Sequence, residues 1–415
     1  MLINNTISIS DKIGKGSYGS VYLGKDINTN KLYAIKKISK ELLISSANQT
    51  RINNEIYILK HLPSHPNIIK FYDVVQTLSN IYLIFDYCNG GSLNNALDSQ
   101  KKVHNCPFDE KRTRYIVKSI VNGLLCLNKN NIVHRDIKLD NILLNYKSYE
   151  DLQKGDVLNA EIKIIDFGFA RYLFNDELAS TIVGTPLFMD PNILSFATKD
   201  SSTKESFKEE NSCQYDHKVD IWSLGIIVYE LLIGVLPFNG KDINDLYCSV
   251  TDRKFCLPQY KDIVLSKEAI AFIDKLLSTE ANKRPSILKL VDEEWLNGNT
   301  AELMIMKSDN EINMIYDKAN FEHYWKVKEY EKETPKISEI YQKTINFKKF
   351  LRINSLIDRI QRNNNVEVPI KKVRTEGNIT IKKANEMSPK RKERKIADQG
   401  TPIKEEDHIF SYKKK

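Results

Sequence analysis

Residues 132–144 read IVHRDIKLDNILL, a string of charged and polar side chains held between two apolar runs. A solvated surface turn is one explanation of such a string. The order His134, Arg135, Asp136, Lys138 and Asn141 argues against it, because these residue types at these spacings supply what phosphoryl transfer to a hydroxyl requires in one loop. Asp136 can orient and deprotonate the acceptor, Lys138 can neutralise the transferring group, and Asn141 can bind a magnesium ion through its side-chain oxygen. The flanking apolar runs must be buried, so a fold with a sizeable core has to carry the loop.

The rest of the chemistry is spread along the chain. Downstream, IKIIDFGFA offers Asp166 as a second hard-oxygen magnesium ligand, with Phe167 for packing and Gly168 as a hinge. Upstream, IGKGSYGSV places Gly14, Gly16 and Gly19 just after Ile13 and before Val21, and glycines between two strands let backbone N–H groups close over phosphate oxygens. A plain hairpin turn explains that loop equally well on its own. A dinucleotide-binding reading requires a helix straight after it, whereas VYLGK has strand character. Lys36, in YAIKK, can reach the α and β phosphates, and Glu55, in the helical stretch INNEIYILKHL, can hold it as an ion pair.

These motifs, in this order from about residue 9 to 296, resemble the eukaryotic protein kinase family. The resemblance implies an α+β, two-lobed fold: a small β-rich lobe with one main helix, a larger helical lobe, and ATP between them. It further implies Val21, Ala34 and Leu143 around the adenine, Phe85 as the bulky gatekeeper, and Asp86 to Cys88 as the hinge. Leu59, Phe71, His134 and Phe167 are expected to stack as a hydrophobic spine, which makes His134 a core histidine rather than an acid or base. Lys138 and Thr185, the latter in GTP, match the serine/threonine branch. DFGFARYL, ASTIVGTP and the long polar insertion are similar to the autophagy-initiating ULK kinases. That similarity implies an activation loop switched by phosphorylation of Thr181, with Ser180 as the second candidate and Arg135 as the group that meets the phosphate. One departure stands out: where the family reads Ala-Pro-Glu, this chain has Asp190, Pro191 and Asn192. The family's glutamate pairs with an arginine matching Arg284, so either that arginine lacks a full partner or Asp190 supplies the charge.

Hydrophobic periodicity divides the chain accordingly. Residues 7–87 read as the β-rich lobe and 88–297 as the helical lobe, with polar insertions near 146–160 and 195–215. The apolar run 221–238 is interrupted by Glu230 and reads as a buried helix, not a membrane span. Residues 298–363 form an extension with helical periodicity over 336–362, whose basic amphipathic face suits a helix-docking or calmodulin-like partner. Residues 364–415 read as a disordered tail.

Of the net charge of +8, residues 371–415 carry a surplus of seven, so any nucleic-acid binding belongs to the tail rather than the fold. Within it, SPKRKERK resembles a nuclear-import patch, and a solvated charge run explains it as well. Scattered cysteines and the lack of a leader before Gly14 point to a reducing, cytoplasmic setting. Protein substrates are expected, and of the positions where basophilic kinases keep acids, Ser92 and Asp140, only one is acidic. The competing reading is a pseudokinase scaffold, against which the polar set Lys36, Glu55, Asp136, Asn141 and Asp166 is complete.

Overall fold

The computed structural model describes residues 2–4, 6–16, 19–173, 185–198, 216–256, 263–298, 314–315 and 327–328. The short β-rich runs at the start of the chain pair into an antiparallel sheet of β1 (Leu2–Ile3), β2 (Ile7–Gly16), β3 (Gly19–Asp26), β4 (Leu32–Ser39), β5 (Phe71–Gln76) and β6 (Asn80–Asp86). Their order is β1-β2-β3-β4-β6-β5. Side chains alternate between the two faces. On the outer face Ile35, Tyr82 and Ile84 pack with Ile7 and Val75. On the inner face Ile38, Ile81 and Leu83 join Ile52, Ile58 and Leu59 of α1 (Ser46–His61), the one long helix among the described residues of this lobe.

The second lobe is mainly helical. It contains α2 (Leu93–His104), α3 (Glu110–Lys129), β7 (Ile132–Val133), β8 (Ile142–Tyr146), α4 (Tyr149–Lys154), β9 (Ala160–Ile164), β10 (Arg171–Tyr172), α5 (Pro191–Thr198), α6 (Lys218–Ile233), α7 (Ile243–Thr251) and α8 (Lys267–Leu276). Ser92 and Asp109 cap α2 and α3 with their side-chain oxygens, which satisfies first-turn N–H groups. α6 is apolar almost all round and buried along its length, as a helix at the centre of a lobe must be. No helix among the described residues is long and apolar enough to cross a membrane. The two-lobed α+β arrangement expected from the sequence is the one found.

The polar stretch at 146–160 is locally ordered: Ser148 caps α4, and Gly155 ends it in a left-handed conformation. Of the extension, Met314–Ile315 pairs antiparallel with Val264–Leu265, and Val327–Lys328 pairs parallel with Phe255–Cys256. The helix expected over 336–362, the tail at 364–415 and most of the insertion at 195–215 lie outside the described residues.

Candidate active site

Strand register assembles the inner face of the first lobe. Gly14, Val21, Lys36 and Leu83 pair in succession across β2, β3, β4 and β6, while Leu23, Ala34, Phe85 and Phe71 do so one step along. Directly paired residues share a face, so Val21, Ala34, Lys36 and Phe85 look the same way. The Phe71 and Phe85 rings lie 5.6 Å apart. Leu143, joined to Ser92 by an isolated bridge, is half-buried like Val21 and Ala34, and Ile13 is exposed at the mouth. A side chain at Gly14 would meet only Val21, whereas at Gly19 it would fall 1.9 Å from the Lys37 carbonyl oxygen. Gly14 therefore leaves open space beside its backbone, and Gly19 is demanded by strand packing. Gly16 pairs with Gly19 at the end of the hairpin. Cys88 is buried, and burial pushes its thiol up to about 12.

Lys36 ties the lobes together. Its Nζ donates to Glu55 Oε1 at 2.6 Å and to Asp166 Oδ1 at 3.1 Å. Burial opposes both charges, yet Asp166 and Glu55 hold the ammonium above its ordinary pKa, and Lys36 holds the Asp166 carboxyl below its own. Burial lifts Glu55 instead, against the pull of Lys36, and its Oε2 has no hydrogen-bond partner among the described residues.

Around Asp136 the loop is bound to itself. Lys138 Nζ donates to Asp136 Oδ2 and to Thr185 Oγ1, both at 2.8 Å, and the Thr185 hydroxyl donates to Asp136 Oδ1 at 3.1 Å. Asn141 turns its amide nitrogen inward, to the Asp136 carbonyl oxygen at 2.7 Å and Oδ2 at 2.9 Å. His134 is fully buried: its Nδ1 accepts the Asp136 N–H and its Nε2 donates to Ile165 O, with its ring 5.2 Å from that of Phe167. This is the core role expected of it. Arg135 and Asp166 both have positive φ, 64° and 63°, a conformation that costs free energy outside glycine and persists where surroundings enforce it.

Sequence reasoning missed part of what enforces it. The Asp220 carboxylate, from the first turn of α6, accepts the backbone N–H of His134 at 2.9 Å and of Arg135 at 2.8 Å. Its signal was an acid heading an otherwise apolar helix. Arg51, one turn before Glu55 on α1, was also missed. Its guanidinium lies 5.7 Å from the Phe169 ring centre, while Arg135 Nε donates to the Phe169 carbonyl at 2.7 Å. Thr181 and Ser180 lie outside the described residues.

The departure at 190–192 resolves in favour of Asp190. It is buried and accepts a hydrogen bond from the fully buried Arg284, whose guanidinium also reaches the carbonyls of Ser278 and Lys218 and faces the Trp222 ring. Asn192 is exposed and stands outside this pair. Near the far end of α6, burial pushes the Glu230 carboxyl up to about 8; Lys101 opposes the shift, and Asp140 and Asp98 add to it.

The donor set suits a magnesium ion. Among the described residues, neither Asn141 Oδ1 nor Asp166 Oδ2 accepts a hydrogen bond, and the Ile165 N–H to Asn141 O bond keeps the two residues adjacent. Magnesium takes one or two hard oxygens of this kind from protein, with the rest of its shell from water and substrate.

A lysine clasped by two acids and a carboxylate–lysine–threonine loop thus face each other where the two lobes meet. The family model for the protein kinase domain matches residues 7–296, and the chain belongs to that family. It is 34% identical over 304 residues to calcium-dependent protein kinase 4 of Plasmodium berghei, covering 73% of this chain and 50% of that one. Against the serine/threonine-protein kinase atg1 of Dictyostelium discoideum the identity is 33%, over 70% of this chain and 39% of that one. Myosin light chain kinase A of the same organism is 31% identical, with 72% and 90% covered. The chain thus spans about half the length of the Plasmodium kinases that it matches.

Proposed function

We propose that this chain is a serine/threonine protein kinase that transfers the γ-phosphate of ATP to hydroxyls of protein substrates. The observation that carries the proposal is Lys36 held between Glu55 and Asp166, because an ammonium so fixed is aimed at phosphate oxygens with no reorganisation left to make. In this reading ATP lies against the inner face of the first sheet, its phosphates beneath the Gly14–Gly16–Gly19 hairpin and beside Lys36. Its adenine sits between Val21, Ala34 and Leu143, with Phe85 behind it and the backbone of Asp86 to Cys88 at its edge. Asp136 accepts the proton of the incoming hydroxyl, and Lys138, already bonded to Asp136, neutralises charge on the transferring group. Magnesium held by Asn141 and Asp166 would supply further neutralisation of the phosphate oxygens. Thr185 keeps Asp136 and Lys138 in register. A scaffold that binds without transferring has no observation in its favour.

Regulation in this proposal runs through Thr181, with Ser180 second. A phosphate there would bring nearly two negative charges to Arg135 and Arg51, which approach Phe169 from its carbonyl and its ring. We assign the chain to the ULK-like branch on DFGFARYL and ASTIVGTP; atg1 is one of several relatives of similar identity. The segment 336–362 is proposed as the docking site for a helix-binding or calmodulin-like partner, a reading to which the names of the calcium-dependent relatives lend weight. Cytoplasmic residence, with SPKRKERK as a nuclear-import patch, completes the proposal.

Lys36→Met and Asp166→Asn test it on a generic protein substrate with saturating ATP and magnesium. Each should lower the rate by about a hundredfold or more, in a chain whose circular dichroism shows it still folded at the assay temperature. Activity above a tenth of wild type in either variant would remove the assigned roles.

A further inference from the structure

The β5–β6 ladder slips at one place. Phe71 pairs with Phe85 and Asp73 with Ile84, so Tyr72 is the extra residue of a β-bulge. Bulges beside functional sites re-aim side chains. Here the bulge leaves Phe71 on the inner face against Phe85 and sends Tyr72 outward, where its ring meets Tyr33 edge-on at 5.2 Å. The Tyr72 hydroxyl donates to Asp86 Oδ1 at 2.6 Å and accepts from Lys31 Nζ at 2.5 Å. Lys31 also lies 3.7 Å from Asp86 and over the Tyr72 and Tyr33 rings. Burial, then Asp86, holds the Tyr72 hydroxyl above its ordinary pKa, so it remains a donor.

Asp86 is the last residue of β6 and the first of the connection between the lobes. Its N–H donates to the Lys70 carbonyl at 3.0 Å, and the β4–β6 ladder ends where it pairs with Tyr33. Between Asp86 and Gly90, whose N–H donates to the Leu144 carbonyl of β8 at 2.9 Å, the chain runs outside the sheet, and it is there that the proposed function places the adenine edge.

We infer that Tyr72, braced by Lys31, is a positioning residue for nucleotide: it fixes Asp86 from the outer face of the sheet so that the connecting backbone is preset for adenine on the inner face. The inference rests on the kinase reading. Tyr72 touches neither ATP nor the transferring groups, so its effect falls on nucleotide affinity and not on the rate of transfer.

The test uses the full chain, with ATP and magnesium titrated calorimetrically and by steady-state kinetics. Tyr72→Phe keeps the ring and deletes the hydroxyl. It should raise Kd and KM for ATP by about three- to tenfold, the range one hydrogen bond spans, with kcat and unfolding temperature unchanged. Lys31→Met should move both constants in the same direction. In the nucleotide-free chain, hydrogen exchange at residues 86–88 should quicken in Tyr72→Phe. Unchanged affinity and exchange in a wild type that binds ATP would overturn the inference alone, as would kcat falling together with unfolding temperature. A wild type that binds no ATP would overturn the kinase reading and this inference with it.

Discussion

Asp190 pairs with Arg284 inside the second lobe, two residues before the position at which the family keeps its glutamate. The side chains are 2% and 0% exposed, so neither charge has water to fall back on. Asp190→Asn should cost about 3–5 kcal/mol, as breaking a buried pair on one side does. Asn192→Glu adds its carboxylate in solvent and should change stability by less than about 0.5 kcal/mol. Thermal unfolding of both variants checks this; a large gain from Asn192→Glu would mean that Arg284 lacked a full partner after all.

Glu230 makes stability depend on pH. Its folded value of about 8 exceeds the ordinary 4.5, so the folded chain binds this proton more tightly than the unfolded chain does. The resulting stabilisation is complete below pH 4.5 and is lost as pH rises towards 8. Glu230→Gln cannot lose a proton. Between pH 5 and pH 8 the stability of the variant relative to wild type should therefore rise, by on the order of 3 kcal/mol. Parallel pH profiles for the two proteins would contradict the shift.

Cys88 should be inert. A thiol raised to about 12 is almost wholly protonated at pH 7.5, and the residue is buried. Brief treatment of the native chain with iodoacetamide at that pH, followed by peptide mass spectrometry, should find exposed Cys248 modified and Cys88 intact. Early modification of Cys88 would show that the connection between the lobes opens far more readily than its packing allows.

Phosphatase treatment should lower activity at least tenfold if Thr181 carries the switch, and Thr181→Ala should reproduce the loss. Arg51→Ala should shrink the ratio between phosphorylated and unphosphorylated rates, since one of the two guanidinium groups is then missing. Equal rates with and without phosphate, with occupancy verified by mass spectrometry, would eliminate the switch.

Residues whose roles follow from local chemistry were legible in the sequence. Asp136, Lys138 and Asn141 announce themselves by mutual spacing, and the Lys36–Glu55 pair follows from a strand followed by a helix. The apolar run at 221–238, read as a buried helix, lies largely in α6, Lys218–Ile233, because so apolar a stretch leaves little choice. Asp220, Tyr72 and the exposure of Asn192 were not legible. The first acts through backbone N–H groups, so an acid heading an apolar helix does not say which loop it holds, and the second depends on a slipped register. The third turns on which of two neighbouring polar side chains faces inward.

The two hydrogen bonds that Asp220 accepts also set the order in which this loop can acquire its shape. Arg135 and Asp220 are separated by 85 residues of chain. At about 5–20 residues per second, a ribosome needs roughly 4–17 s to get from one to the other. Until then the nascent loop holds Asp136 without the carboxylate that keeps Arg135 in its left-handed conformation. The loop thus gains its full set of restraints only once α6 has been made, and a chain released before α6 would carry every residue of the 132–144 string without the carboxylate that helps to shape it.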